Sequence, residues 1–328
     1  RLMGFLAARG STAAVPAPKF DVAHLLWYAG ALIVIGAMWL FSTLAFSQMG
    51  GRALTATGIL YALAFTAAGY HLWYRKGLKT PGGLLVAVAV SMVPLTIYGI
   101  QDELGAWGKF GYPGTYQGFY VWIKGSWIFM EAATVIAGLI ALRFFRFPFI
   151  VMIIAFALWF MSMDIAPWIA GTDHASWTQQ QQVSMGFGLL ILLVAWVTDY
   201  QGRDADFAFW LHLFGLMAFW GALSSGSSTS ELVKAFYCLI NVVLLFLSVL
   251  LGRKTYAVFG TIGIAFYLGS LADKLFKNSL LFPFALSMIG IGVIAAGLLY
   301  HRKQDAISAW VTAHMPDALM RMRPAHAR

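Results

Sequence analysis

Apolar residues fill this chain in long, nearly unbroken runs, punctuated by short groups of charge, glycine and proline. Ten runs stand out, at roughly 24–46, 53–74, 82–100, 125–145, 148–166, 183–200, 206–225, 231–252, 256–276 and 280–301. A helix needs about 20 apolar residues to cross about 30 Å of hydrocarbon, and each run is close to that length. A spanning backbone must satisfy its own hydrogen bonds, so it is helical or part of a closed barrel. These runs are too long and too continuously apolar for barrel strands. The pattern predicts an all-α fold, a polytopic transmembrane helix bundle of about ten spans.

Composition agrees. Of 328 residues, 60% are hydrophobic and 11% charged, against about 25% charged in a soluble domain. The net charge of +9 would suggest nucleic acid on a soluble protein. Here the basic residues sit at the ends of apolar runs, so they read as topology signals and no nucleic-acid partner is expected. The single cysteine, Cys238, lies inside an apolar run and reads as packing.

The distribution of Lys and Arg orients the spans. Arg75, Lys76 and Lys79 follow span 2, Arg143 and Arg146 follow span 4, Arg203 follows span 6, Arg253 and Lys254 follow span 8, and Arg302 and Lys303 follow span 10. The connections on the other side mix basic residues with Asp102, Glu103, Asp173, Glu231 and Asp273. Even connections and both termini are therefore expected in the cytoplasm. Residues 1–23 read as a cytoplasmic arm, or the remnant of a longer one, without the apolar core of a signal peptide. Residues 24–301 form the membrane domain. Residues 302–328 read as a basic amphipathic tail lying on anionic lipid.

Phe147-Pro148-Phe149 opens span 5 and Phe282-Pro283-Phe284 opens span 10. Two groups of five spans would have opposite orientations, the 5+5 inverted repeat used by many transporters. Proline is favoured in the first turn of any helix, which is the plainer explanation.

Candidate chemistry falls in two places. Ionisable groups at membrane depth are costly and are functional candidates by default. Glu131 lies about six residues, or about 9 Å, inside span 4 and could carry a proton or bind a cation. Asp164, at the end of span 5, would approach it if spans 4 and 5 pack as a hairpin. His212 in span 7 and Asn241 in span 8 are the other intramembrane candidates, Asn241 chiefly as interhelical glue. His24, His71, His212 and His301 lie toward one side of their spans. Nothing in their spacing demands haem, so no cofactor and no metal is expected.

The second place is the outer face. Residues 101–124 and 164–182 form two long loops rich in aromatics, carrying Asp102, Glu103, Trp107, Trp168, Asp173, His174 and Trp177. An interfacial aromatic belt accounts for them, while long loops in a compact bundle are often functional.

No Walker loop, His-Glu-x-x-His, cysteine pair or nucleophile elbow occurs, so no enzyme motif supports catalysis. The segments LLWYAGALIVIGAMWLF, GGLLVAVAVSMVPLTIYGIQDELGAW and GTIGIAFYLGSLADKLFKNSLLFPFALSMIGIGVIAAGLLYHRK resemble a group of predicted bacterial multi-span membrane proteins of unknown function. The resemblance covers most of the chain and implies an inner-membrane protein of about this span count. It carries over no site residue. Three functions remain on the table. One is a secondary transporter or permease. The second is a non-catalytic subunit or scaffold of a larger membrane complex. The third is an enzyme acting on lipid or lipid-linked glycan through Asp102, Glu103, Asp164, Asp173 and His174.

Overall fold

The computed structural model describes residues 22–46, 50–111, 124–170, 176–201, 205–226 and 230–276, with parts of 283–303. Every described element is helical. In chain order they are α1 (Val22–Phe46), α2 (Gly51–Tyr70), a π-helical turn (His71–Arg75), α3 (Lys79–Ser91), α4 (Val93–Glu103), α5 (Ala106–Phe110), α6 (Ile128–Phe144), α7 (Phe149–Ala170), α8 (Trp177–Tyr200), α9 (Ala205–Ser224), α10 (Glu231–Leu251) and α11 (Lys254–Phe276).

Seven helices among the described residues are long and apolar enough to cross a membrane: Gly51–Arg75, Lys79–Glu103, Phe149–Trp168, Trp177–Tyr200, Phe207–Ser224, Leu232–Leu251 and Lys254–Lys274. They fit an integral membrane protein. The first, fourth and tenth expected spans are not among the seven. The shorter apolar helix Leu25–Ala37 lies within α1. The fourth, α6, has 17 residues, because a turn at 126–127 precedes it. The tenth, 280–301, falls partly outside the described residues, as do the arm, the tail and Phe282 of the second Phe-Pro-Phe.

Burial is distributed as lipid would demand. On α10, Leu232, Phe236, Leu239, Val243 and Phe246 are exposed at helical spacing, while Asn241, Leu244 and Ser248 are buried. On α8, Leu189, Leu190 and Leu193 face outward, and Ser184, Ile191 and Ala195 face inward. On these two helices large apolar side chains thus face outward, while the few buried polar ones lie inward among apolar neighbours.

The chain divides into two compact units. The first holds α1–α7, α8 as far as Ala195, and α9 as far as Ala218. Within it α2 packs against both α3 and α4, α3 also meets α1, α6 and α7, and α6 and α7 form a hairpin. The apolar core joins Leu84, Val86, Ala87 and Val88 of α3 to Phe147, Phe149, Ile150 and Ile154, with Trp210 of α9. Phe147 of the first Phe-Pro-Phe seats over Gly83, where an added Cβ would come within 2.3 Å of its ring.

The third expected span is broken at Met92, between α3 and α4, with Pro94 in the first turn of α4. Proline has no N–H for the Val90 carbonyl, so the ladder is interrupted there. Nearby hydroxyls back-bond to the chain, Ser91 to the Ala87 carbonyl at 3.0 Å and Thr96 to the Met92 carbonyl at 3.1 Å.

The second unit holds Trp196–Tyr200 of α8, α9 from Phe219, α10 and α11. α10 and α11 pack as a hairpin. Gly252 ends α10 in the left-handed region at φ 65°, a conformation that costs glycine little and lets the chain reverse at once. Asn241 is the hub. It accepts a hydrogen bond from Trp220 Nε1 at 2.9 Å and donates through Nδ2 to the Tyr237 carbonyl at 2.8 Å. A Cβ added at Gly263 would lie 1.9 Å from its Oδ1, so the glycine is what admits this side chain.

Candidate functional site

The α6–α7 hairpin brings the two acidic candidates together. Glu131 lies in the first turn of α6, shallower along its helix than the six residues the sequence suggests. The residues expected to form an earlier helical turn instead make the turn at 126–127. Glu131 is nevertheless 7% exposed, and its Oε2 is buried without a hydrogen-bond partner. Asp164 does not end its helix, because α7 continues through Pro167 to Ala170. The Asp164 carboxylate accepts hydrogen bonds from the Ser126 hydroxyl and the Trp127 backbone N–H. Glu131 and Asp164 are electrostatic neighbours. The turn at 126–127 therefore does two jobs: it starts α6 late, and it supplies the donors that fix Asp164.

Other buried polar groups occupy the adjoining helices. α4 packs on α6, and α4 carries Tyr98 and Gln101. Gln101 was expected in a loop but is buried in α4, and its Oε1 lacks a hydrogen-bond partner. Trp107 of α5, one of the outer-face candidates, has a buried side chain that stacks on Tyr98 at 5.5 Å between ring centroids. Below Glu131 on the same helix, Thr134 donates to the Met130 carbonyl at 2.6 Å.

The remaining candidates lie apart from this pair. Asp102 is exposed at the end of α4. Its neighbour Glu103 is held by Arg52, whose Nε donates to it at 2.7 Å. Trp168 and Trp177 are exposed. Asp173 and His174 lie outside the described residues. Asp102, Glu103 and Asp164, the described carboxylates of the enzyme reading, are thus committed to different surroundings. His212 is fully buried in α9, in the first unit. Asn241 is the interhelical hub of the second. Among the described residues, no group of three or more His, Cys, Asp and Glu side chains gathers to hold a metal.

Two polar features escape a sequence reading. In the second unit Arg253 grips Asp199 with both ends of its guanidinium, Nε donating to Oδ2 at 3.0 Å and Nη2 to Oδ1. The side chains are 11% and 1% exposed. Buried Tyr256 interacts electrostatically with both. Asp199 looks like part of a solvated turn, and Arg253 like one more topology signal. The clue is that each flanks the same end of an apolar run. The second feature is a polar relay joining three helices of the first unit. Trp159 Nε1 donates to Ser184 Oγ at 2.9 Å, and Ser184 donates to the Ala218 carbonyl at 2.9 Å. A lone serine in an apolar run gives no such signal.

No family model, curated protein or solved structure matches this chain. What the Glu131–Asp164 site can do follows from its own residues. The buried Glu131 carboxyl, with an open acceptor oxygen, is an electrostatic neighbour of the half-buried Asp164 carboxyl. That arrangement can take up and release a proton or a small cation, because two neighbouring negative charges there are unfavourable without one.

Proposed function

We propose that the protein is a multi-pass secondary transporter of a bacterial inner membrane, in which Glu131 and Asp164 bind and release the coupling proton or cation. The observation that carries this reading is the buried Oε2 of Glu131, without a hydrogen-bond partner and beside a second carboxyl. In this reading both termini are cytoplasmic, the ten expected runs all cross, and the basic tail rests on anionic lipid.

The test needs no knowledge of the substrate. Purified protein in proteoliposomes is adsorbed to a solid-supported membrane and exposed to a pH jump or a sodium jump. Binding of the coupling ion gives a transient charge displacement that empty liposomes lack. Glu131→Gln abolishes it, and Asp164→Asn reduces it. A transient unchanged in both variants, or none in the wild type, overturns the assignment.

The rival reading is a structural subunit of a membrane complex. It draws support from exposed Trp127, Trp168 and Trp177 at the starts and ends of helices, aromatic surface that a partner could cover. Native mass spectrometry of mild-detergent extracts separates the two: stoichiometric partner chains favour the subunit, a bare particle the transporter.

A further inference from the structure

The end of the first unit where α2 passes into α3 gathers five exposed cations from two distant connections. Arg75 and Lys76 come from the α2–α3 connection and Lys79 from the first residue of α3, while Arg143 comes from the last turn of α6 and Arg146 from the α6–α7 connection; all five are exposed. Two contacts join these connections. Tyr74 Oη donates to the Phe144 carbonyl at 2.6 Å. Trp73 packs edge-on against Phe145 and Phe147, at 5.7 and 6.3 Å between centroids.

The support beneath the cations is firm. The π-helical turn closes with the Lys76 N–H donating to the His71 carbonyl at 3.1 Å, and the Leu78 N–H to the Leu72 carbonyl at 2.9 Å. Gly77, at φ 71°, makes the reversal between them. Lys79 Nζ lies 4.6 Å from the Trp73 ring centroid and 5.6 Å from that of Tyr74, a geometry that holds an ammonium by cation–π attraction. α3 begins here with no side chain capping its N-terminus, so its first N–H groups and its dipole add positive potential.

The two chain segments that carry the cations are free of acidic residues: no Asp or Glu occurs between Asp21 and Asp102, or between Glu131 and Asp164. Simple topology control would be met by cations scattered in each loop. It does not require two connections to be joined through an aromatic floor. Tyr70 and Tyr74, with rings 4.9 Å apart and both exposed, supply the amphipathic surface suited to the headgroup level.

We propose that this face is a binding site for an anionic phospholipid headgroup. The guanidinium and ammonium groups of Arg75, Lys76, Arg143 and Arg146 hold its phosphate oxygens. A lipid bearing two phosphodiesters fits best, because the cations come in two sets. The site stands whether or not the protein transports.

Native mass spectrometry of the full chain tests it, titrating cardiolipin, phosphatidylglycerol and phosphatidylcholine into the detergent-solubilised protein. The wild type takes up cardiolipin ahead of phosphatidylglycerol, with phosphatidylcholine weakest. The fourfold variant Arg75→Gln, Lys76→Gln, Arg143→Gln, Arg146→Gln binds cardiolipin at least about tenfold more weakly. Removing four charges elsewhere, with Lys109→Gln, Lys124→Gln, Lys234→Gln and Lys274→Gln, leaves binding within about twofold of wild type. The charge-keeping variant Arg75→Lys, Arg143→Lys, Arg146→Lys also retains most of it. Should the fourfold variant fail to insert, Lys76→Gln and Arg146→Gln alone each weaken binding by roughly twofold to fivefold. Equal losses in the two fourfold variants overturn the proposal, as does equal uptake of phosphatidylcholine. Saturation by inorganic phosphate, with no preference among intact lipids, overturns the lipid as occupant.

Discussion

Asn241 and Gly263 depend on one another, and the dependence can be measured. A methyl group at position 263 would collide with the Asn241 amide, its Cβ 1.9 Å from Oδ1. Gly263→Ala therefore destabilises the second unit through overpacking, by about 1–3 kcal/mol. Asn241→Ala costs less, about 1 kcal/mol, the usual scale for a polar contact between membrane helices. The double variant is no worse than Gly263→Ala alone, because the atoms that collide are gone. Reversible unfolding in mixed micelles reads all three, and strictly additive losses would contradict the geometry. The Asp199–Arg253 pair gives the opposite asymmetry. Removing one partner strands a buried charge, a cost of about 3–5 kcal/mol, whereas removing both costs far less. Arg253→Ala is thus expected to be more damaging than Asp199→Ala combined with Arg253→Ala. Equal damage from the single and the double would show that the pair is solvated rather than buried.

At the scale of helices, α2 meets α4 across a seam of small residues. Gly51 and Gly58 of α2 lie against Gly99 and Thr96 of α4, where added Cβ atoms would come within 2.5 Å of the Gly99 carbonyl and 2.3 Å of Thr96 Oγ1. Gly58→Leu should separate the two helices and lower the unfolding midpoint by several degrees. Gly30→Ala and Gly36→Ala, where a Cβ meets nothing within 4 Å, leave it unchanged or raise it slightly. A loss at Gly30 as large as at Gly58 would contradict this packing. The contrast also marks what the sequence could disclose. Apolar run length places the helices well: the run at 53–74 becomes Gly51–Arg75 and that at 256–276 becomes Lys254–Phe276. The break near Pro94 is legible too, since proline lacks the donor. Partners across helices are not. Gly30 and Gly36 carry the same small-residue signal as Gly260 and Gly263, yet only the latter pair meets another helix. Glu131 is legible as a lone carboxyl in an apolar run, and its approach to Asp164 follows from the short α6–α7 connection. Ser126, Gln101 and the Asp199–Arg253 pair are not legible, because their burial is decided by contacts between distant segments.

For the whole molecule, the crossing of α6 decides the topology. Its 17 residues span about 26 Å at 1.5 Å per residue, slightly less than the hydrocarbon thickness. Local thinning of the bilayer can absorb that deficit at modest cost. If α6 crosses, the connections before it and after α7 lie on one side, since two helices intervene. The three helices α8, α9 and α10 then carry the chain to the opposite side by Lys254. Single-cysteine variants in a Cys238→Ala background test this with a membrane-impermeant thiol reagent on sealed vesicles of known orientation. Asp102→Cys and Trp177→Cys should label from the outer side, and Lys76→Cys and Lys254→Cys from the cytoplasmic side. If Asp102→Cys and Trp177→Cys label from opposite sides, α6 does not cross. Glu131 would then sit in a re-entrant hairpin, reached from one side only. Labelling of Lys76→Cys from the outer side would invert the whole arrangement and place the five cations around Arg75 and Arg143 against the wrong leaflet. The reading of the charge pattern and the proposed lipid site thus stand on one measurable orientation, because both assume that the connection after α2 faces the cytoplasm while the connection after α4 does not.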